Sequence, residues 1–151
     1  MHLVVVTPRG SKVDTDVTMV TAPGEVGELG ILPGHRPLIT ALAIGMLSYN
    51  DGAKVKHLAT NEGFMEVHDD KVVVVTESAE EPDEISAERA KKSLDRAEAK
   101  LKTIDPFADP TGWKQTNEKR ARALNRLAVS RFATPEALRI QQERQAAQAR
   151  A

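Results

Sequence analysis

The chain has 151 residues, no cysteine, 21 Lys+Arg against 22 Asp+Glu and a formal net charge of −1. That length holds one domain, or one domain with an appendage, and the missing cysteines exclude a disulfide framework and a thiolate metal site. No apolar run approaches the roughly 20 residues that span a bilayer, and Met1-His2-Leu3-Val4-Val5-Val6-Thr7-Pro8 lacks the basic segment and cleavage site of a signal peptide, so the expectation is a soluble, cytoplasmic chain that meets a membrane only through a partner.

The charge is divided unevenly. Residues 1–84 carry 6 Lys+Arg and 14 Asp+Glu, whereas residues 85–151 carry 15 and 8. An acidic part joined to a basic part fits two parts that meet different partners, or simply two differently solvated surfaces.

The pattern is strand-like up to about residue 77. Residues 3–7 form a short β-branched run, and residues 13–21 alternate in part, with Asp14 and Asp16 opposite to Val13 and Val17. Gly24-Glu25-Val26-Gly27-Glu28-Leu29-Gly30-Ile31-Leu32-Pro33-Gly34-His35-Arg36-Pro37 follows. Its glycines permit positive φ and its prolines fix φ, so it reads as a shaped corner rather than a regular strand, burying Val26, Leu29 and Ile31 and displaying Glu28 and His35. It has no Gly-Lys-Ser/Thr and no helical pattern behind it, as a phosphate-binding loop requires.

Strand runs resume at residues 37–42 and 45–49, then at Val55–Thr60, Gly63–His68 and Lys71–Thr76. Asn50-Asp51-Gly52 and Asp69-Asp70 mark tight turns between them. Val72-Val73-Val74-Val75 is expected to be covered on both faces. Many short strands with regular turns predict a β-sandwich over residues 1–84.

The period then changes. Residues 77–84 are acidic, contain Pro82 and read as a linker. From Ser86, a helix cap, Ala87, Ala90, Leu94, Ala97, Leu101 and Ile104 recur at spacings of three and four, which predicts a helix to about Thr103. Asp105-Pro106-Phe107-Ala108-Asp109-Pro110-Thr111-Gly112 breaks it, and a second helix is expected over roughly 114–132 with Ala121, Leu124, Leu127 and Ala128 inward. The short connection predicts an antiparallel hairpin over residues 85–133. Its seam is rich in alanine and gains little from burial, so the hairpin is expected to be marginal alone and able to rearrange. Thr134-Pro135-Glu136 is a fresh helix start, but the Gln/Ala/Arg-rich tail, 134–151, has few apolar anchors and is expected to be helical or disordered.

Catalytic chemistry finds no support. His2, His35, His57 and His68 form no close ligand pair. His57 and His68 lie in strands expected to be neighbours, where ordinary strand-face roles suffice. Asp69-Asp70 and Glu80-Glu81 sit in a turn and a linker, where solvation is expected rather than a tuned acid–base pair. No nucleophile elbow or HExxH motif is present. Lys119, Arg120, Arg122 and Arg126 form a basic cluster. Aromatic content of 3% argues against a nucleic-acid surface, and an acidic protein partner fits the same charges.

Gly27-Glu28-Leu29-Gly30-Ile31-Leu32-Pro33-Gly34-His35 resembles the GELGILPGH signature of the epsilon subunit of bacterial rotary F-type ATP synthases. Gly63-Phe64-Met65-Glu66-Val67 resembles that family's G-F-x-E-V strand, and Ala123-Leu124-Asn125-Arg126-Leu127 its second-helix ending. The resemblance covers about residues 1–133. It implies a β-sandwich that docks on the gamma subunit and the c-subunit ring, with Glu28, Gly34 and His35 at the rotor contact. It also implies a helical hairpin that folds back or extends into the alpha/beta catalytic head, where it blocks ATP hydrolysis, with Arg120, Arg122 and Arg126 as the inhibitory basic patch.

The same resemblance implies a non-catalytic subunit, peripheral on the cytoplasmic face of the bacterial inner membrane, with no nucleic acid partner and no required cofactor. Some members of the family bind ATP at the hairpin through an I/L-D-x-x-R-A motif. Here Ile85-Ser86-Ala87-Glu88-Arg89-Ala90 keeps the isoleucine, arginine and alanine but replaces the acidic residue with Ser86. Glu80, Arg89, Arg96, Arg122 and Arg126 match nucleotide contacts, so ATP is expected at most as a weak regulatory ligand. The segment after Thr134 and the proline-rich loop with Trp113 depart from the family. A β-sandwich adaptor whose basic tail binds an acidic protein or nucleic acid is the alternative outside it.

Overall fold

The computed structural model describes residues 1–151. Its strands are β1 (His2–Thr7), β2 (Gly10–Asp16), β3 (Met19–Gly24), β4 (Gly27–Ile31), β5 (Leu38–Leu42), β6 (Gly45–Asn50), β7 (Val55–Thr60), β8 (Gly63–His68), β9 (Lys71–Thr76) and β10 (Ala79–Glu80). A 3-10 turn at Pro82–Glu84 leads to α1 (Ala87–Leu101), α2 (Pro110–Ser130) and α3 (Pro135–Ala149). The chain forms two compact units, Met1–Glu80 and Glu81–Ala151. Strand pairing ends at Glu80, so residues 81–84 group with the helices, whereas the sequence pattern sets the change at residue 84.

In the first unit the strands run β10-β7-β6-β3-β5-β8-β9-β1-β2, with β4 beside β3. A single residue pair, Gly24 with Leu42, joins β3 to β5. On either side of this join lie the two layers of a β-sandwich. Val20, Ala22, Ile31, Leu47, Tyr49 and Leu58 face inward from one layer; Leu3, Val5, Leu42, Met65, Val67, Val72 and Val74 do so from the other. Each fully buried aliphatic side chain contributes about 1.5–3 kcal/mol relative to exposure. β1 and β9 form the only parallel pair, and β2 returns antiparallel on the other edge of β1.

Several local expectations are corrected. Val72 and Val74 are buried but Val75 is 53% exposed, so β9 is covered on one face. Side chains alternate along the strand, so Val72 and Val74 enter the core between the layers while Val73 and Val75 lie on the outer face. Contrary to the expectation from its glycines, Gly27–Ile31 is a regular strand, because β3 supplies a paired partner for it. Val26, at the β3–β4 turn, is fully exposed rather than buried, while Ile31 is fully buried. The run 13–21 is two strands, since the chain turns at Val17 and Thr18 to change partner. β7 pairs with β6 and β10, and β8 with β5 and β9, so His57 and His68 are not on neighbouring strands. Asn61 and Glu62 turn the chain from one layer to the other.

In the second unit every helix start is written locally. Ser86 accepts from Arg89 N–H, Asp109 from Gly112 N–H and Thr134 from Ala137 N–H, and prolines stand at the first positions of α2 and α3. α1 buries Ala90, Leu94 and Ala97, as its three-four spacing predicts. α2 begins at Pro110, earlier than the apolar pattern indicates, because Asp109 and Pro110 initiate it. It buries Thr116, Ala123 and Val129; Leu124 is 40% exposed and Ala128 is exposed rather than inward. Arg120 on α2 meets Glu98 on α1 at 3.5 Å, a pairing that fits an antiparallel hairpin. α3 buries no residue.

Candidate functional site

The loop after β4 is the best-defined feature of the sandwich surface. His35 N–H donates to Leu32 O at 3.1 Å, closing a turn around Pro33 and Gly34. Gly34 has φ +82°, a left-handed value that a side chain would strain. Its N–H donates to the Asp70 carboxylate at 2.7 Å. Asp70 sits with Asp69 in the β8–β9 turn, both at positive φ, the geometry of a two-residue hairpin turn. His35 is exposed, its Nδ1 2.7 Å from Arg36 O. Glu28 is exposed on β4 opposite Pro23, close to the β3–β4 turn, whereas Gly34 and His35 lie beyond the other end of that strand. Val26 and Leu32 add exposed apolar surface to the same segment, Leu32 at 55%.

An apolar strip on the outer face of one layer was not legible as such. Register aligns Ala41 on β5, Phe64 on β8, Val75 on β9 and Val6 on β1 across four strands. Phe64 is 63% exposed and Ile39, one row away, 74%. The signal lay in alternation: Phe64 falls out of step with buried Met65 and Val67. Such a strip is more than scattered surface hydrophobicity and is suited to a protein contact.

His2 was also missed as part of a cluster. Its Nδ1 lies 2.7 Å from Asp16 and its Nε2 2.5 Å from Asp14, across the β1–β2 pair. The Asp16 hydrogen bond, then that to Asp14, raise the His2 pKa, and His2 in turn lowers that of Asp16. The two ring nitrogens face different carboxylates, so the three groups do not converge on one ion. His57 is a different case. Its Nδ1 is 2.8 Å from Ser48 Oγ on β6, and burial lowers its pKa.

On the helices, Arg89 and Arg96 are exposed on α1, seven residues apart and thus on one face. Arg96 Nε donates to Lys92 O at 3.4 Å. Arg122 and Arg126 share a face of α2, while Arg120 projects about 160° away from Arg122 around the helix and pairs with Glu98. Glu80 stands on β10 opposite Ala59. Ser86 holds its N-cap bond to Arg89 N–H at 3.3 Å. At the hairpin tip Asp105 accepts from Phe107 N–H at 2.8 Å, and Phe107 is left 96% exposed.

No helix is long and apolar enough to cross a membrane. Residues 1–82 match the family model described as the ATP synthase delta/epsilon chain, beta-sandwich domain. The ATP synthase epsilon chain of Geobacter metallireducens is 46% identical over 125 residues, covering 83% of this chain and 89% of that one. That of Geotalea daltonii is 50% identical over 101 residues, 67% and 73% of the two chains. Among solved structures, a chain of the Euglena gracilis mitochondrial ATP synthase OSCP/F1/c-ring structure superposes with a TM-score of 0.71 at 25% identity, covering 82% of this chain and 76% of that one. A chain of the Tetrahymena thermophila mitochondrial ATP synthase central stalk/c-ring structure shares the fold, with a TM-score of 0.50 at 20% identity over 56% and 68% of the chains.

Proposed function

The chain belongs to the ATP synthase delta/epsilon family, and from that premise we propose that it serves as a non-catalytic epsilon subunit in the central stalk of a proton-driven rotary ATP synthase. It couples the rotor to the catalytic head and restrains ATP hydrolysis through its C-terminal helices. The observation that carries this reading is the likeness to an epsilon chain over 125 residues, which outruns the 80-residue strand unit and so takes in helices as well.

In this reading the sandwich meets the gamma subunit and the c ring. Glu28, Gly34 and His35 belong to the rotor contact, supported by their exposure and by the tether that holds Gly34 in place. The strip around Phe64 and Val75 offers the apolar area that a stable contact needs. The helices reach the alpha/beta head when extended, where Arg122 and Arg126 meet acidic groups. The complex places the subunit peripherally, on the cytoplasmic face of a bacterial inner membrane. ATP is at most a weak regulatory ligand of the hairpin, through Arg89, Arg96, Arg122 and Arg126.

Truncation after Glu84, followed by co-purification and an ATPase assay, tests the proposal. The expected result is retention of the truncated chain with alpha, beta and gamma subunits, together with faster hydrolysis. Equal hydrolysis by full-length and truncated complexes at low salt would remove the inhibitory role; failure of the full chain to co-purify would remove the stalk assignment.

A further inference from the structure

We infer that α3 is a strap that ties the two ends of the α1–α2 hairpin together at its base and holds the hairpin closed. The contact is polar and specific. Asp83, in the 3-10 turn just before α1, accepts from Thr134 N–H at 2.8 Å and from Thr134 Oγ1 at 3.0 Å. Thr134 is also the N-cap of α3, accepting from Ala137 N–H at 3.3 Å. The Asp83 carboxylate therefore sits at a helix N-terminus, where the backbone dipole favours negative charge. Two turns along α3, Gln141 Nε2 donates to the Ile85 carbonyl at 2.7 Å. Ile85 is 2% exposed and directly precedes Ser86, the cap of α1.

The attachment leaves little slack. α2 ends at Ser130, and Phe132 N–H to Val129 O (3.0 Å) and Ala133 N–H to Ser130 O (3.1 Å) wind the three residues before Thr134 into a tight turn. The end of α2 and the start of α1 are thus held through one short polar link. Separating the two helices at their base requires breaking it.

α3 does not act as a third bundle helix. It buries no side chain, Leu138 and Ile140 are each 40% exposed, and an open cleft of about 570 Å³ lies between it and the first turns of α1, lined by Ser86, Arg89, Lys92, Ile140 and Arg144 among others. Its hold rests on hydrogen bonds and not on buried area, so the strap can release without unfolding a core.

The regulatory consequence rests on the inhibitory reading above: a closed strap keeps the hairpin from the form that blocks hydrolysis. Hydrogen exchange on the full chain reads the strap directly. Asp83→Ala with Gln141→Ala removes the partners but leaves the Thr134 cap, and should speed amide exchange in the last turns of α2 by about tenfold. Unchanged exchange overturns the proposal. Because the chain has no cysteine, Asp83→Cys with Thr134→Cys gives a second reading. Oxidised, exchange should be as slow as in the parent or slower; reduced, it should be faster; equal rates in the two forms again overturn the strap. In the reconstituted complex the Asp83→Ala, Gln141→Ala variant should hydrolyse ATP more slowly than the parent, and the oxidised cysteine pair fastest. A strap that responds in exchange while hydrolysis stays flat upholds the strap and overturns the inhibitory role.

Discussion

Gly34 N–H donates to the Asp70 carboxylate at 2.7 Å, joining positions 36 residues apart in the chain. The exposed turn that carries His35 is therefore anchored to the β8–β9 turn instead of moving with its own loop. Asp70→Gly removes the carboxylate while keeping the left-handed backbone (φ 57°) free of strain. The expected outcome is faster amide exchange at Gly34 and His35 with a stability change within about 1 kcal/mol. Exchange at the parental rate would show that this bond does not hold the turn.

Gly63 opens β8 opposite Thr76, and a Cβ there would come within 2.0 Å of the Val75 carbonyl oxygen. Backbone cannot yield as a flexible side chain does. Gly63→Ala should cost about 2–4 kcal/mol, measured by urea denaturation. Gly30→Ala is the control. Its Cβ would meet only Met19 Cε at 3.7 Å, an ordinary contact, and stability should change by less than about 1 kcal/mol.

The His2 cluster predicts a pH dependence. Its pKa is raised above the ordinary 6.5 by Asp16 and then Asp14, so its contribution is complete below that value and is lost as pH rises through the folded-state pKa. The Asp16 pKa is lowered from 3.8, so that contribution is present above 3.8 and is lost as pH falls through the lowered value. The stability difference between the parent and His2→Asn should therefore be largest at mildly acidic pH and shrink towards pH 9 or so. Thermal melts of both chains across that range check the sign; a difference that grows with pH contradicts it.

Arg122 and Arg126 share one face of α2, and Arg120 stands on another with Glu98 as its partner. Reversing Arg122 and Arg126 to Glu should raise ATP hydrolysis by the assembled complex, with each exposed pair worth about 0.2–1 kcal/mol and the effect reduced by salt. Arg120→Glu places two carboxylates together in the closed hairpin and should loosen it. Steady-state hydrolysis at low and high salt distinguishes the two; identical responses would mean that face does not matter.

Ser86→Asp is expected to keep the cap of α1, since both residues accept from the third N–H of a helix, and to supply the carboxylate of the ATP-binding motif. Calorimetry should detect at most weak ATP binding to the parent and binding about tenfold tighter in the variant, about 1.4 kcal/mol. Equal affinity would argue against a nucleotide site built around this turn.

Legibility followed the range of the interactions. Ser86 and Thr134 cap helices through bonds three residues long, and Ala90, Leu94 and Ala97 carry the buried stripe of α1 in their spacing. Period and caps are local, so the elements could be read directly. Partner choice is not local. That β4 finds β3, that Val75 is left open while Val74 is buried, and that His57 meets Ser48 rather than His68 all depend on strand order. The same is true of His2 with Asp14 and Asp16, and of Asp83 with Thr134, 51 positions apart. Side chains that act across such distances look like solvated charges in the sequence. Around Glu28, Gly34 and His35 the glycines disclosed the turn at Gly34, but not its tether to Asp70.

The parallel pairing of β1 with β9 sets an order on biosynthesis. Leu3 and Val5 belong to the buried core, yet their strand lies against Val72 and Val74, so β1, made before the other strands, has no permanent seat until almost the whole strand unit has been made. Every other strand has a partner within reach of a nearer turn or loop. β1 and β2 can form a hairpin early, but its apolar side stays in water while the chain grows. Nascent chains that stop before residue 76 should therefore hold this hairpin undocked and be the ones that chaperones engage. The helices, with their local caps, emerge only after the sandwich can close, and a ribosome stalled beyond them carries a finished strand unit at its exit.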